Sequence, residues 1–579
     1  MQSPISNLQS LPASIPGKAS EMRALRLSLL FIALGIGIIA FLVYQFILSR
    51  DTVLVPAEGG TYIEGVVGAP KHINPLLCQL NEADRDLCSL VFSGLTRLNE
   101  SGEALPDLAE TWSISEDGIT YTFKLRQDTR WEDGAPVTAD DVLFTIGLMK
   151  QPDFPGRKDI GELWRQVEVT KLDDYTVQFR LSQPYAPFID YTSIGLLPKH
   201  ILEGTPAASL DKIPFNQQPK GNGPWRVAEL NTAGGRVSSI ALEPSTTYFG
   251  PRPKLGRFVL RYYPNTQSLL DAFRNGDVDG MADFSLTSEA AEASELPNAT
   301  TYSMPSARFV SLMINLRKDS GALALTELPV RQALMLALDR EAIIRDVLKG
   351  RGVLANTPFI PGTWAHDASV KSYSRDLERA KQLLRDAGYE IAIVAPSNVE
   401  VWQKGGEPIA FTLLTPEGGI YPQVAEAVAK QWRELGVQVT VIPVRNIVRN
   451  FLATHQFQVA LTETLLDGDP DPFPLWHQSQ ANVGQNFTGW ENAEASQWLE
   501  QARATTDRAQ RFELYRRFQQ KFVEELPAIM LYHPTFDYVI SSRVRNVQVA
   551  PIVYPSDRFR SLSDWMINTR RVLASEVIP

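Results

Sequence analysis

Three aspartates at alternate positions are the residues of this sequence best suited to bind a charged ligand. Asp467, Asp469 and Asp471 lie in a Gly- and Pro-rich loop. The loop directly follows a predicted strand at 457–464, which ends on Thr464. Loops at the ends of strands carry the ligand-binding groups of α/β folds. A carboxylate there could form a charge-assisted bond with a cation. The alternative is a solvated acidic turn, since Asp and Pro commonly build turns.

The same spacing matches positions 1, 3 and 5 of a calcium-binding loop, but the rest of that motif is missing. Pro472 stands at position 6, where such loops have glycine, and Gln478 stands at position 12, where they have glutamate. We therefore expect no metal site in this loop.

Catalytic motifs do not accompany the acidic loop. The six histidines form no short metal-ligand pair, and neither an HExxH nor a GxSxG motif occurs. A phosphate-binding loop of the GxxxxGK type is also missing from the sequence. The sequence thus predicts a binding protein without catalytic residues or a cofactor.

Charge and cysteine content narrow the function classes further. The 579 residues carry a net charge of −10, of which the first 50 residues contribute +3 and the remainder −13. An acidic body of this kind is a poor nucleic-acid binder, so no nucleic-acid partner is expected.

The two cysteines, Cys78 and Cys88, are too few for a disulfide scaffold. They either pair with each other in an oxidising compartment or remain buried thiols.

An uncharged apolar stretch near the N-terminus predicts a membrane anchor. It runs over 22 residues, 27–48, and at about 1.5 Å per residue a helix of that length matches a bilayer core of about 30 Å. Lys18, Arg23 and Arg26 precede it and only Arg50 closely follows it. The positive-inside rule then places the N-terminus in the cytoplasm and the body outside. A cleaved signal is the alternative, although the run is long for one and its only cleavage-like triplet lies at 55–57.

Hydrophobic periodicity predicts the elements that would position the acidic loop. Residues 119–125 alternate apolar and polar side chains, as a half-buried strand does. Thr138 is suited to cap a following helix. From about residue 305 strands and helices alternate, and the strand 409–415, the helix 422–435 and the strand 437–442 form a predicted βαβ unit. The second half of the chain should therefore contain a parallel sheet.

Three segments in this region resemble the signature of a known family. They are Pro106–Trp112, Asp117–Arg126 and Trp131–Val142. In order and spacing they resemble the extracytoplasmic solute-binding proteins of family 5, which serve ABC importers of oligopeptides, dipeptides and similar solutes. The resemblance covers roughly residues 60–550.

The resemblance implies an α/β fold of the periplasmic-binding-protein type II, with two lobes, a small inserted third lobe and one preceding N-terminal transmembrane helix. It also implies the boundaries of these parts: a cytoplasmic tail at 1–26, the transmembrane anchor at 27–48, lobe I at 57–99, 191–304 and 526–579, the small inserted lobe at 100–190, and lobe II at 305–525.

The resemblance further suggests ligand-binding residues. In peptide-binding members an Asp in the corresponding segment meets the ammonium of the peptide's first residue. That role falls to Asp467, with Asp469 as the second match, although the spacing from Asp467 to the next proline is one residue short of the pattern and no Trp precedes it. Asn486 and Trp490 match an Asn that precedes an aromatic residue by four, and they could bind a peptide backbone or simply pack. Thr464, at the end of the preceding strand, completes the candidate set.

A weaker candidate for a ligand-binding group consists of Tyr185, Phe188 and Tyr191, which are more typical of a hydrophobic core.

As a whole the sequence predicts a monomeric, single-pass cell-membrane receptor with an extracytoplasmic domain. It would capture peptides between two lobes and deliver them to an ABC permease. The alternative is a tethered sensor, or a binding protein for a non-peptide solute such as haem, a metal complex or an oligosaccharide, without transport.

Overall fold

A computed structural model describes residues 18–99, 101–282, 292–293, 295–394, 399–466 and 468–573. Residues 1–17 of the predicted cytoplasmic tail and the predicted ligand residue Asp467 lie outside this range.

The described strands form, in chain order, β1 (Thr52–Ala57), β2 (Thr61–Val67), β3 (Thr96–Leu98), β4 (Ala104–Pro106), β5 (Ala109–Ile114), β6 (Thr120–Leu125), β7 (Glu168–Asp173), β8 (Thr176–Arg180), β9 (Trp225–Ala233), β10 (Arg236–Pro244), β11 (Arg257–Tyr263), β12 (Gly280–Ala282), β13 (Ala299–Pro305), β14 (Arg308–Ile314), β15 (Gly352–Leu354), β16 (Glu390–Val394), β17 (Val399–Lys404), β18 (Glu407–Pro408), β19 (Ala410–Pro416), β20 (Gln438–Val444), β21 (Val459–Leu465), β22 (Ala528–Ser541) and β23 (Asn568–Leu573).

The longer helices are α1 (Lys18–Asp51), α2 (Glu82–Val91), α3 (Ala139–Met149), α4 (Lys158–Arg165), α5 (Thr266–Arg274), α6 (Leu328–Leu336), α7 (Leu377–Asp386), α8 (Tyr421–Leu435), α9 (Ala493–Ala504) and α10 (Arg508–Glu525). Four short helical turns cover Phe188–Tyr191, Lys199–Leu202, Arg340–Ala342 and Phe473–Trp476.

The chain divides into two compact units, and the described part of the first comprises residues 18–57 and 568–573. In this unit α1 leads directly into β1, and β1 pairs antiparallel with β23 near the C-terminus, from Thr52 opposite Leu573 to Ala57 opposite Asn568. The stretch Leu27–Phe46 of α1 is long and apolar enough to cross a membrane, and its side chains are not buried against protein. This helix is a candidate transmembrane helix or signal anchor.

The second unit, residues 58–567, is built on one mixed sheet of twelve strands. Along the sheet the order is β20, β19, β21, β14, β22, β12, β2, β11, β10 and β9, and β13 and β15 also pair with β22. The predicted βαβ unit is confirmed, because β19 and β20 pair in parallel and α8 connects them. Gly436 ends α8 with φ +96°, a left-handed conformation that glycine adopts without strain.

The signature region contributes β5 and β6 to a separate sheet of four antiparallel strands, in the order β5, β6, β8 and β7. The predicted strand is confirmed as β6, whose Tyr121, Phe123 and Leu125 are buried. Helix α3 follows, with Thr138 as its N-cap, and the Thr138 amide donates to Asp141 Oδ2 at 2.9 Å.

Three hydrophobic cores account for most of the buried side chains of the second unit. The first core takes its residues from 62–304 and 536–565 and includes the four-stranded sheet. The second and third cores lie on opposite faces of the sheet around β14: Val310 and Leu312 face the second core, while Phe309 and Met313 face the third. This alternation follows the two-residue period of a strand.

The chain passes from the first core to the other two at two neighbouring places. One lies between Met304 and Ala307, and the other lies within β22, between Tyr532 and Phe536. Ser306 joins them, because its amide and Oγ both donate to the carbonyl of Pro534, at 3.0 and 2.8 Å. Strand β22 has 14 residues, and its two ends belong to different cores. The predicted lobe boundaries themselves stay a prediction.

Candidate functional site

A cavity of about 1270 Å³ lies between the first and the third core. The first core contributes Phe92, Trp164 and Trp225 to its wall, and the third core contributes Leu466 and Leu475. The volume exceeds the roughly 300–1,000 Å³ of pockets that hold a drug-sized ligand. The cavity therefore has room for a solute larger than a single small metabolite.

The acidic loop forms part of the third-core wall of this cavity. Asp469 lines the cavity and is paired through both carboxylate oxygens with Arg511 of α10, at 2.7 and 2.8 Å. Asp471 also lines the cavity, and its Oδ2 accepts a bond from Arg503 Nε at 2.6 Å. Burial raises the pKa of Asp471 above its ordinary value, and the charge of Arg503 opposes that rise. Each of the two aspartates is thus paired with an arginine.

Asp467 itself lies outside the described residues, but both of its neighbours line the cavity. Leu466 and Gly468 belong to the wall, and Gly468 has φ +61°. That left-handed conformation suits glycine and reverses the chain there. The loop that carries Asp467 therefore reaches the cavity.

The remaining predicted residues sit behind the wall. Thr464 is half-buried in β21 opposite Phe309. Asn486 is fully buried and its amide donates to the carbonyls of His477 and Trp490, at 3.2 and 2.9 Å. Trp490 packs in the third core, and its indole Nε1 donates to Glu525 at 2.7 Å. These three residues do not line the cavity in the described structure, and their predicted contact with ligand stays a prediction.

On the first-core wall, Asp107 is a titratable group that the sequence did not single out as a site residue. Its side chain is buried and lines the cavity. Burial raises its pKa to about 7, although a bond from Ser93 and the charges of Arg97 and Arg126 act in the opposite direction. Arg97 and Arg126 line the same wall, so this end of the cavity carries positive charge.

Cys78 and Cys88 form a disulfide bond, which resolves the alternative that the sequence left open. Both cysteines line the cavity. The bond connects the turn before α2 with the middle of α2. It therefore constrains a segment of the first-core wall.

The aromatic group Tyr185, Phe188 and Tyr191 is divided between core and cavity. Phe188 is fully buried in the first core, as the sequence favoured. Tyr185 and Tyr191 stack with ring centroids 6.4 Å apart and line the cavity, together with Asp190 between them in the chain. The periodic pattern of the sequence gave no sign of this, because these residues form a short turn between elements rather than a strand or a long helix.

A comparison with protein-family models gives one match that covers most of the chain. The model of bacterial extracellular solute-binding proteins, family 5 Middle, matches residues 103–486. The chain belongs to this family. The three signature segments and the acidic loop all fall within the matched range, so the family suggested by the sequence is confirmed.

Curated peptide-binding proteins resemble the chain over more than four fifths of its length. The oligopeptide-binding protein AppA of Bacillus subtilis is 29% identical over 489 residues, which cover 83% of this chain and 87% of AppA. The dipeptide-binding protein of Escherichia coli is 27% identical over 529 residues, which cover 86% of this chain and 94% of that protein.

Solved structures of similar proteins share the fold. The structure of Bacillus subtilis AppA in complex with a nonapeptide has a TM-score of 0.63 at 26% identity, covering 89% of this chain and 100% of that one. NikZ from Campylobacter jejuni in complex with Ni(L-His) has a TM-score of 0.65 at 27% identity, covering 87% of this chain and 99% of that one. The family 5 chain described here therefore has the α/β fold of periplasmic binding proteins, as its sequence predicts.

Proposed function

We propose that this protein is a membrane-anchored, extracytoplasmic receptor that captures peptides in the cavity between its cores and delivers them to an ABC import permease. The cavity carries this proposal, since it combines room for an extended solute with charged groups on both walls. Such a site suits a peptide, whose ends and side chains can be charged along an extended backbone. Bacillus subtilis AppA supports the assignment, because it is named for oligopeptides and its structure contains a nonapeptide.

In the proposed mechanism, the ligand favours the closed form because it contacts both walls at once. The two neighbouring chain crossings at Ser306 and Pro534 are the proposed hinge. Direct contacts already join the two sides: Arg508 pairs with Glu103 at 2.7 Å, and the Ala186 amide donates to the carbonyl of Arg503 at 2.6 Å. We assign these contacts to the closed form, in which the permease would recognise the receptor.

The predicted anchor fits this role. A receptor tethered by the stretch Leu27–Phe46 would stay close to a transporter in the same membrane, which raises its effective concentration there. We further propose that the receptor is a monomer. We also propose that it binds its ligand without chemical conversion, because Asp469 and Asp471 are committed to ion pairs with Arg511 and Arg503.

A second candidate is a non-peptide solute such as a metal complex. It is favoured by the similarity to NikZ, whose structure contains Ni(L-His). The same fold without a permease would serve as a tethered sensor. The non-peptide receptor differs from the first candidate in its ligand, so a ligand screen separates these two.

The test is the thermal unfolding of the full-length protein in detergent micelles with three probes: a library of tri- to pentapeptides, haemin and Ni(L-His). A ligand that binds only the folded state stabilises it by about 2.7 kcal/mol at a concentration of 100 Kd. The proposal predicts that the peptide library raises the melting temperature and the other two probes do not. A shift with haemin or Ni(L-His) alone would contradict it.

A further inference from the structure

Five carboxylates line the cavity in the described part of the chain, and four of them have partners. Three are paired with arginines: Asp469 with Arg511, Asp471 with Arg503 and Asp557 with Arg560. Asp107 accepts a bond from Ser93. The fifth carboxylate, Asp190, has neither a side-chain hydrogen bond nor an ion pair with any described residue.

Asp190 belongs to the short helical turn Phe188–Tyr191 on the first-core wall. Across the cavity, the charged groups that act on it are Asp469, Arg511 and Arg508, all from the third-core side. Arg511 is committed to Asp469 and also donates to Tyr515 Oη at 2.9 Å. The two arginines therefore leave Asp190 without a counter-ion of its own.

Among the described residues, both arginines that act on Asp190 are already paired. Arg508 pairs with Glu103, and Arg511 pairs with Asp469. The carboxylate of Asp190 has no ion-pair partner among the described residues, and the like charge of Asp469 acts on it. Burial and that like charge raise the pKa of Asp190 well above its ordinary value.

We propose that Asp190 binds a cationic group of the ligand, an ammonium or a guanidinium, from the wall opposite the acidic loop. The cation supplies the counter-ion that Asp190 itself lacks among the described residues, and it relieves the repulsion between Asp190 and Asp469 when the walls come together. Closure is thereby coupled to a charged ligand, because only such a ligand makes this differential contact. This assignment rests on the proposed function and narrows its ligands to peptides with a free positive charge.

The test uses two peptide libraries and three forms of the full-length protein in detergent micelles. Both libraries contain tri- to pentapeptides without Lys, Arg or His; one has free N-termini and the other is N-acetylated. The proteins are the wild type, Asp190→Asn and, as a control for net charge, Asp153→Asn, whose exposed side chain lies outside the cavity wall. Binding is measured by titration calorimetry.

We expect the wild type and Asp153→Asn to bind the free library about 10- to 100-fold more tightly than the acetylated one, as a hydrogen bond between charged groups implies. In Asp190→Asn this preference should be at least threefold smaller than in the wild type. The melting temperature of Asp190→Asn without ligand should equal or exceed that of the wild type, because an uncompensated charge is removed. That result also excludes a loss of binding through misfolding.

Three outcomes would overturn the assignment. If the wild type binds both libraries equally, or if Asp190→Asn retains the full preference, the receptor binds peptides but Asp190 does not select their charge. If the wild type binds neither library, the peptide function itself fails and the assignment fails with it.

Discussion

Arg511 binds both carboxylate oxygens of Asp469, with Nη2 to Oδ1 at 2.7 Å and Nη1 to Oδ2 at 2.8 Å. The side chains are only 7% and 8% exposed. The pair joins the acidic loop to α10 across 42 positions of sequence. Asp469 thus ties the acidic loop to α10.

Asp469→Asn should lower the free energy of unfolding by about 3 kcal/mol, since breaking a buried pair leaves Arg511 uncompensated. Urea unfolding followed by circular dichroism measures the change. The control is Asp153→Asn, an exposed substitution of the same kind, which should stay within about 0.5 kcal/mol of the wild type. Equal stability of the two variants would show that the pair does not support the loop.

Stability should depend on pH through Asp107. Its pKa is 3.8 in an unfolded chain and about 7 in the folded protein. From about pH 4 to pH 7 the unfolded state therefore loses the proton while the folded state keeps it, so stability falls as the pH rises through this range. At about 1.4 kcal/mol per pKa unit the total fall is about 4 kcal/mol.

The isosteric variant Asp107→Asn lacks this titration. Its free energy of unfolding should therefore fall less than that of the wild type between pH 4.5 and pH 7.5, and urea unfolding at both values measures the difference. The same fall in both proteins would mean that the Asp107 carboxyl is not buried as described.

The disulfide should stabilise the cavity wall. Replacing both Cys78 and Cys88 by Ala should cost about 2 to 3 kcal/mol, because a cross-link between residues 10 positions apart restricts the unfolded chain. Thermal unfolding of the wild type with and without a reducing agent provides the matched comparison. If reduction leaves the melting temperature unchanged, the bond does not contribute to folding.

The anchor can be tested by fractionation of cells that express the full chain. An uncleaved helix keeps the protein in the membrane pellet after alkaline carbonate washing, and mass spectrometry should find peptides from residues 51–57. A soluble protein whose first residue follows Ala57 would instead identify a cleaved signal.

The sequence predicted the framework well, because that framework depends on local patterns. Short stretches of neighbouring residues carried the signals for three features. These are the alternation around Phe123, the helix cap at Thr138, and the βαβ unit whose helix α8 ends at Gly436. The signature segments then identified the family, which the match over residues 103–486 confirms.

The cavity wall was less accessible to sequence analysis, because it depends on contacts between distant segments. Asp107 and Asp190 come from different turns, and neither turn has a periodic pattern that would indicate a site. The disulfide likewise depended on whether two thiols meet in space. Even Asp469, which the motif did single out, is held by Arg511, and no sequence spacing could indicate that pairing.

The most direct test of a peptide receptor is native mass spectrometry of the full-length protein, released from detergent micelles and then denatured to identify what it carried. The account predicts a ladder of short peptides on the wild type and their loss from Asp467→Ala. A single non-peptide solute, or a protein that stays empty in the presence of a peptide library, would contradict it.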